Sequence, residues 1–507
     1  HLRLITKSRQ RSTLCEKEAD MKDGRNEKIT LIYNAAFVIG CEEEEHYIIR
    51  GGEVAYKGNT IIYVGRHYIG EADEKIDAGQ GLVIPGLINL HCHIAGSPLE
   101  KGFIEDTGNR FNYMSGLYEY LSVTKLEPED QIDVLDFSLA DIMTRGSTTV
   151  FEQGWCDEKS IEHMGESGLR TIVGPVASSS NFMTKDGRNV YYNMHEQQAY
   201  DRLQYVMDTR QKYDGAYDGR MTVALYLGQV DCCTPEYLDE VRRVMDNDRE
   251  MIVTIHAAQS INEYEQIART YGKTPAGYLY DHGIVGSRVH YGHYLMPQGH
   301  SMNAMKLMKP DEELKLIAGT NTNIIHCPWS FGRRGMILES LQHYLDLGIN
   351  IGIGTDTFTQ DIIWEMRYAA IFCKIAEGAN PFTGTAAEVF NMATLGGARA
   401  IGRPDLGRIQ KGCKADIVIV DLNNLDCQPV RDPIKVLVYS ACGKNVDKVI
   451  VDGKLIVDGN RPVNMDIDKV IGRMQQAQDK MIAKVPERDW AGRSADEMSP
   501  MSFRVVD

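Results

Sequence analysis

The chain has 507 residues, of which 43% are hydrophobic and 25% charged, and its 55 Lys+Arg against 71 Asp+Glu give a formal net charge of −16. These values are typical of a folded globular protein, and they exclude the disordered, collagen-like and low-complexity classes. The acidic balance argues against nucleic acid or a membrane surface as a partner, because no basic field is available to attract phosphate.

The first twenty residues differ from the rest of the chain. Residues 1–20 contain no Met and no hydrophobic period, and Met21 opens a segment that looks like a natural start. We interpret 1–20 as a non-native or disordered leader, with a transit peptide as the alternative. The 11 cysteines are scattered and form no CxxC pair, which predicts reduced thiols and a cytoplasmic location.

Two blocks of short β-rich runs lie near opposite ends of the chain. The first occupies residues 29–83, with tight turns indicated at Gly51–Gly52 and Gly58–Asn59. The second includes CKADIVIVDL and VDKVIVDGKLIVDGN, in which Asp452–Gly453 is a strong hairpin signal. We predict that residues 21–85 and 410–465 join into one small β-sandwich domain.

The long middle of the chain alternates strand-like and helix-like stretches. Its apolar runs include STTVFEQG, RTIVGPV, MTVALYLG, MIVTIHAA, RVHYGHYL, TNIIHCP and INIGIGTD, each followed by a helical pattern. Such alternation predicts an α/β fold, a parallel (β/α)8 TIM barrel over residues 86–409. Residues 466–507 are predicted to form a C-terminal helix and tail that pack on the barrel or on a partner subunit.

Potential metal ligands stand at the ends of several predicted strands. His91 and His93 are two residues apart, so on a strand both face the same side, and His256 and Asp356 each follow an apolar run. Any one of them alone is a weak signal, because a lone buried histidine is more often a core residue. In a barrel, however, the carboxyl ends of the strands converge on one mouth, where three imidazoles and a carboxylate form a zinc-type or iron-type site.

These motifs resemble the amidohydrolase superfamily. The resemblance is carried by VIPGLINLHCH, VTIHAAQ, YGHYL, GIGTD and KGCKADIVIVDL, and covers residues 29–460. It implies a divalent metal held by His91, His93, His256 and Asp356, and a role for His293 beside the water or substrate. The run MTVALYLGQV lacks a bridging Lys or Glu, so we expect one ion, with zinc preferred over iron, manganese or cobalt.

The predicted catalytic residues are Asp356, His293 and Gln259. A divalent metal makes water nucleophilic near neutral pH, Asp356 takes its proton and passes it to a departing amine, and His293 donates to the developing oxyanion. Aromatic aminohydrolases typically carry Glu at the position of Gln259, and Gln cannot exchange a proton near pH 7. Gln259 is therefore predicted to orient the substrate by hydrogen bonding.

We predict a mononuclear metal-dependent hydrolase that cleaves a C–N bond of an amide, urea or thiocarbamate type. SPLEKGFIEDTG, YMSGLYEYL, FGRRG and GTDTFTQDIIWEMR resemble the branch that contains phenylurea and molinate hydrolases, although those phenylurea hydrolases are associated with an Asn-x-His first motif. The first alternative is an aminohydrolase or chlorohydrolase of an aromatic heterocycle such as an s-triazine, purine or pyrimidine. It requires another acid, for which Glu105 and Asp106 are candidates. The second alternative is a non-catalytic binding or assembly barrel.

The substrate is predicted to be a small molecule, and the enzyme a homo-oligomer. Aromatic side chains offer an apolar pocket, and a loop arginine offers a partner for a carbonyl or carboxylate. The predicted substrate-binding residues are Glu105, Tyr113, Trp155, His326, Trp329 and Arg333.

Overall fold

The computed structural model describes residues 27–109, 114, 116–309, 311–339 and 341–506. The predicted leader 1–20 and the predicted substrate residue Tyr113 lie outside these ranges. The strands of the described part are β1 Ile29–Tyr33, β2 Phe37–Glu42, β3 Glu45–Arg50, β4 Glu53–Lys57, β5 Thr60–Gly65, β6 Glu74–Asp77, β7 Leu82–Pro85, β8 Leu87–Cys92, β9 Ser147–Gly154, β10 Arg170–Pro175, β11 Ser180–Met183, β12 Tyr191–Met194, β13 Met221–Val223, β14 Leu225–Gln229, β15 Val253–Ala257, β16 Val289–His293, β17 Asn323–His326, β18 Ile351–Ile353, β19 Ile417–Val420, β20 Val446–Val451, β21 Lys454–Asp458 and β22 Arg461–Pro462.

The middle of the chain forms two parallel sheets, with strand orders β13-β10-β9-β8 and β14-β15-β16-β17-β18. The predicted single strand MTVALYLG is divided at Ala224, because Met221–Val223 pairs with β10 and Leu225–Gln229 pairs with β15. The other edges of the two sheets meet where His93 N donates to Asp356 O at 2.8 Å and Asp356 N donates to His91 O at 2.8 Å. The strand ends that carry the potential ligands therefore lie side by side.

Helices follow most of the parallel strands, as the alternating pattern predicts. The strands themselves are buried almost throughout, which explains their continuous apolar character. The α-helices of the described ranges are Gln131–Met143, Glu158–Glu166, Glu196–Tyr213, Ala216–Gly219, Pro235–Asn247, Ile261–Tyr271, Pro275–Asp281, Glu312–Thr320, Pro328–Gly332, Leu341–Asp346, Ile362–Ala376, Ala386–Asn391, Gly397–Ala400, Pro433–Tyr439, Ile467–Ala483, Val485–Arg488 and Ala495–Met498. None of these helices has both the length and the apolar composition that crossing a membrane requires.

Strands from both chain ends share one mixed sheet. Its order is β22-β21-β20-β19-β7-β2-β3, and a separate sheet has the order β5-β4-β1-β6. Both sheets contribute to one buried apolar cluster, in which Ile32 and Val54 of the smaller sheet meet Val83 and Ile417 of the larger. The predicted hairpin at Asp452–Gly453 is confirmed: both residues have positive φ, of 50° and 78°, and they join β20 to β21.

The C-terminal helix Ile467–Ala483 packs against Gln131–Met143 of the same chain. Its Gln478 Nε2 donates to the carbonyl oxygens of Leu99 at 3.0 Å and Lys101 at 2.7 Å. These acceptors belong to the segment that follows β8 and His93. The helix therefore anchors a loop beside the strand ends where the potential ligands lie.

Candidate metal centre

Four potential ligands converge at the carboxyl ends of the parallel strands. His91 lies near the end of β8 and His93 just beyond it, His256 lies on β15, and Asp356 follows β18. One donor atom from each of the four lies within 4.8 Å of the others. Among the described residues, this is the group of His, Cys, Asp and Glu side chains compact enough to hold a metal ion.

The donor atoms point at one another across a buried space. Asp356 Oδ1 is 3.4 Å from His93 Nε2 and 3.6 Å from His91 Nε2, and the Nε2 atoms of His91 and His256 are 3.1 Å apart. Three imidazoles and one carboxylate are the donor types that zinc and similar divalent ions take in hydrolases. The donor set and its spacing therefore fit one divalent ion.

Two of the histidines are held by backbone carbonyls in the orientation that a metal ligand needs. His93 Nδ1 donates to the carbonyl oxygen of Gln153, and His256 Nδ1 donates to that of Gly228 at 3.0 Å. A proton fixed on Nδ1 leaves the lone pair of Nε2 free to face the ion. His91 has a buried Nδ1 without a hydrogen-bond partner in the described part of the chain.

Electrostatics favour the protonation states of bound ligands. Burial, followed by the charges of the other imidazoles, lowers the pKa of His256 well below its usual value, and burial also lowers the pKa of His93. Burial acts to raise the pKa of Asp356, but the surrounding imidazoles of His91, His293 and His93 hold it well below its usual range. Neutral imidazoles and an ionised carboxylate are the forms that bind a metal.

Asp356 divides its two oxygens between different partners. Oδ1 faces His91 and His93, whereas Oδ2 accepts a hydrogen bond of 2.5 Å from Ser330 Oγ. Ser330 is fully buried and lies in the short helix Pro328–Gly332. The hydroxyl therefore fixes the rotation of the carboxylate, and sequence reasoning missed this role because a lone serine carries no distinguishing pattern.

Replacing Ser330 with Ala is expected to weaken metal binding by about 10- to 100-fold, the usual cost of removing a group that orients a ligand. Zinc affinity is measured by competition with a chelator of known affinity. Ser301→Ala is the matched control, because Ser301 is exposed and bonds to Glu339 instead. Unchanged zinc affinity in Ser330→Ala would show that the hydroxyl does not position Asp356.

His293 lies beside the cluster, at the end of β16. Its ring stacks on that of His256 with centroids 5.0 Å apart, and its other neighbours include Phe331 at 4.5 Å. Burial lowers the pKa of His293 well below its usual value, so the ring is neutral and can donate one hydrogen bond. His290, by contrast, bonds to the carbonyl oxygen of Ala400 at 3.0 Å, as expected of a residue on the other side of the strand.

Gln259 is buried three residues after His256. Its backbone N–H donates to Glu263 Oε2 at 3.0 Å, and its side-chain Nε2 donates to Gln229 Oε1. Gln229 ends β14 and stands in register with His256. The side chain of Gln259 is therefore held at the same strand ends as the potential metal ligands.

The predicted substrate residue Arg333 contacts three side chains beside the ligand cluster. Arg333 Nη1 lies 3.1 Å from Glu105 Oε1, Nη2 donates to Thr357 Oγ1 at 2.8 Å, and the guanidinium stacks on Phe358 at 4.1 Å. Thr357 directly follows Asp356, so Arg333 and Glu105 lie near the ligand cluster. Arg333 Nε is buried without a hydrogen-bond partner among the described residues, so the substrate role of Glu105 and Arg333 stays a prediction.

The other predicted substrate residues have different surroundings. His326 is buried, and burial lowers its pKa to about 3. Trp329 is half-buried and stacks on Tyr368 with centroids 4.9 Å apart. Trp155 is 57% exposed, and the guanidinium of Arg202 lies 4.2 Å from the centre of its ring.

Glu100 is a buried acid that sequence reasoning missed. It lies in the loop after His93, and its Oε2 atom has no hydrogen-bond partner among the described residues. Burial raises the pKa of Glu100 to about 7, while the nearby charges of Arg334 and Arg333 act in the opposite direction. This carboxyl group is therefore protonated in part near neutral pH.

Comparison with known proteins places the chain in a family. The model of the amidohydrolase family matches residues 82–456. The chain is 28% identical over 440 residues to a 5-methylthioadenosine/S-adenosylhomocysteine deaminase of Pelotomaculum thermopropionicum, covering 85% of this chain and 94% of the relative. It is also 28% identical over 437 residues to the deaminase of that name from Pyrococcus abyssi, covering 84% and 94%.

Solved structures share the fold. An adenosine deaminase from Xanthomonas campestris with bound zinc has a TM-score of 0.75 at 22% identity, covering 89% of this chain and 98% of that one. An atrazine chlorohydrolase from Arthrobacter aurescens complexed with zinc has a TM-score of 0.74 at 23% identity, covering 89% and 100%. The chain therefore belongs to the amidohydrolase family and is a hydrolase that acts on carbon–nitrogen bonds.

Proposed function

We propose that the protein is a mononuclear metal-dependent hydrolase that removes an amino group, or a comparable leaving group, from a carbon atom of a nitrogen heterocycle. The observation that carries this proposal is the His91, His93, His256 and Asp356 cluster, in a chain whose relatives are deaminases. Structural neighbours named as an adenosine deaminase and an atrazine chlorohydrolase add support. The heterocycle alternative is thus better supported than the amide, urea or thiocarbamate reaction that we expected first.

We further propose zinc as the resident ion, because its fit to three imidazoles and one carboxylate agrees with the zinc-containing neighbours. When bound, such an ion supplies the Lewis acidity that makes water nucleophilic near neutral pH. Asp356 accepts the proton of the attacking water and returns it to the departing amine. The neutral ring of His293 donates a hydrogen bond to the atom on which negative charge develops.

The architecture also supports this assignment. We propose that the two parallel sheets close as one (β/α)8 barrel over residues 86–409, with β13 and β14 serving as one strand position. Residues 21–85 and 410–465 then form the composite β-sandwich, and residues 466–507 the C-terminal attachment. The backbone hydrogen bonds that join His91 and His93 to Asp356 support closure of the barrel between β8 and β18.

Gln259 keeps the amide and urea reaction as a second candidate. A carbonyl substrate needs no protonation of a ring nitrogen, and the amide of Gln259 cannot provide that proton. Of the acids considered from the sequence, Glu105 is engaged by Arg333. Two buried acids near the cluster have a raised pKa and could supply a proton to a ring: Glu100, at about 7, and Glu152, at about 8, whose Oε2 accepts a hydrogen bond from Ile94 N at 2.6 Å.

A substrate panel tests the proposal. Zinc-loaded protein is incubated with amino- and chloro-substituted purines, pyrimidines and triazines, and with N-aryl ureas, anilides and thiocarbamates, and products are identified by mass. We expect ammonia or chloride release from a ring, lost after metal is removed by a chelator and restored by zinc. Release of an amine only from the acyclic substrates would contradict the heterocycle proposal and favour the second candidate.

A further inference from the structure

The side chains of Gln259 and Gln229 form a buried amide pair beside His256. Both residues are less than 5% exposed, and Gln229 stands opposite His256 in the paired strands β14 and β15. Gln259 Nε2 donates to Gln229 Oε1. The orientation of each side-chain amide therefore determines whether Gln259 presents its oxygen or its NH2 group to a molecule bound at the strand ends.

The carboxylate of Asp231 fixes the direction of this pair. Gln229 Nε2 donates to Asp231 Oδ1 at 2.8 Å, and Tyr192 OH donates to Asp231 Oδ2 at 2.5 Å. A carboxylate only accepts hydrogen bonds, so the NH2 group of Gln229 must face Asp231 and its oxygen must face Gln259. Gln259 in turn must present its NH2 group to Gln229.

The backbone of Gln259 is fixed as well. Glu263 accepts hydrogen bonds from the backbone N–H groups of Ala258 at 2.5 Å and Gln259 at 3.0 Å. Ala258 has a positive φ of 49°, which turns the chain sharply after β15. The oxygen Oε1 of Gln259 makes no hydrogen bond within the described part of the chain. Gln259 thus offers a preoriented acceptor.

We infer that the substrate carries an N–H group next to the carbon that is attacked, and that Gln259 Oε1 accepts this hydrogen bond. This inference deepens the proposed function by naming the substrate class. Among heterocycles it selects rings with an amino-lactam edge, in which a ring N–H adjoins the amino-bearing carbon, over rings of the adenine type. Among acyclic substrates it selects secondary amides and ureas over their N-alkylated forms.

The physical reason is the cost of leaving a buried acceptor without a partner. A site built around a substrate N–H rejects an analogue that lacks it, because the protein acceptor and any facing lone pair are then both unsatisfied. A ring nitrogen without hydrogen would face Gln259 Oε1 with its own lone pair. The relatives named as deaminases of an adenosine act on rings of that kind, so this chain is expected to differ from them in ring preference.

The test compares matched substrates that differ at this N–H. The heterocycle set is 2-amino-6-oxopurine, its N1-methyl derivative and 6-aminopurine, each as base and nucleoside; the acyclic set is an anilide and its N-methyl derivative. For zinc-loaded wild-type protein we expect kcat/KM at least about 100-fold higher for the N–H member of whichever set reacts. Comparable kcat/KM for members with and without the N–H would overturn the inference.

Variants separate the hydrogen bond from the size of the methyl group. Gln259→Met removes the acceptor at similar volume, and Gln229→Met removes the group that orients it; both are expected to reduce the N–H preference to below about 10-fold. Gln475→Met is the control, because Gln475 is exposed on the C-terminal helix. If Gln259→Met keeps the preference for the N–H substrate, a group other than Gln259 accepts that hydrogen bond.

The outcomes for the two proposals can be told apart. Which substrate set reacts, the heterocyclic or the acyclic one, tests the proposed function. The ratio of kcat/KM between the members with and without the N–H group tests the role of Gln259. Binding of the corresponding lactam products and their N-methyl forms, measured by calorimetry, gives a readout without turnover. Equal binding of the two forms, or binding of neither, would also overturn the inference.

Discussion

Asp356→Asn is expected to lower kcat by about 10²- to 10⁴-fold, the usual contribution of a positioned proton acceptor. Asn keeps the shape of the side chain and can still contact Ser330 Oγ, which bonds to Asp356 Oδ2 at 2.5 Å. It cannot take a proton from water, and it lacks the charge that draws Asp356 towards the imidazoles of His91 and His93. Activity is measured at saturating zinc, so that weaker metal binding does not account for the loss.

The control for this variant is Asp346→Asn, the same chemical change at an exposed helix end. Thermal unfolding and zinc content establish that Asp356→Asn remains folded and loaded. A folded, zinc-loaded variant with wild-type kcat would remove Asp356 as the proton acceptor. Metal binding would then be the role that remains for it.

Arg170→Met is expected to reduce the free energy of unfolding by about 3–5 kcal/mol, the range for a buried charge left without its partner. Arg170 begins β10, and its guanidinium contacts Asp416 through two hydrogen bonds of 3.0 Å. It also donates to Asp452 Oδ1 at 3.1 Å, and all three side chains are less than 5% exposed. The triad joins the parallel sheets to the sheet built from both chain ends.

Removing the guanidinium leaves two carboxylates buried beside each other. Burial acts to raise the pKa of Asp452, but Arg170 and Lys414 hold it below its usual value in the intact protein. A group with a lowered pKa stabilises the fold above its unfolded pKa and loses that contribution as pH falls. The difference between wild type and Arg170→Met should therefore be largest at neutral pH and should narrow below about pH 4.

Urea unfolding at several pH values measures this difference. Arg243→Met is the matched control, because Arg243 is exposed and, among the described residues, pairs with Glu240 three residues earlier; this change should cost about 0–1 kcal/mol. A loss in Arg170→Met as small as that of the control would contradict the role given to the triad. A loss independent of pH would contradict the electrostatic explanation.

The sequence by itself indicated the strands that carry the ligands. Each potential ligand stands at the end of an apolar run: His91, His93, His256 and Asp356. The hydrophobic period and the length of such a run are local properties, so they can be recognised from the sequence. The hairpin at Asp452–Gly453 was predictable for the same reason, since two consecutive positive φ values require a short list of residue types. The amidohydrolase resemblance rested on these local motifs.

Contacts between distant segments were decided only by the tertiary structure. Ser330 holds Asp356 from 26 positions away, and Asp231 orients Gln259 through Gln229. Arg333, predicted to bind substrate, contacts Glu105, which lies 228 positions before it. A single polar residue has no period that reveals its partner, because the partner depends on which loops the strands bring to the same end. The motifs thus indicated the candidate metal centre, and the fold determined how each of its groups is oriented.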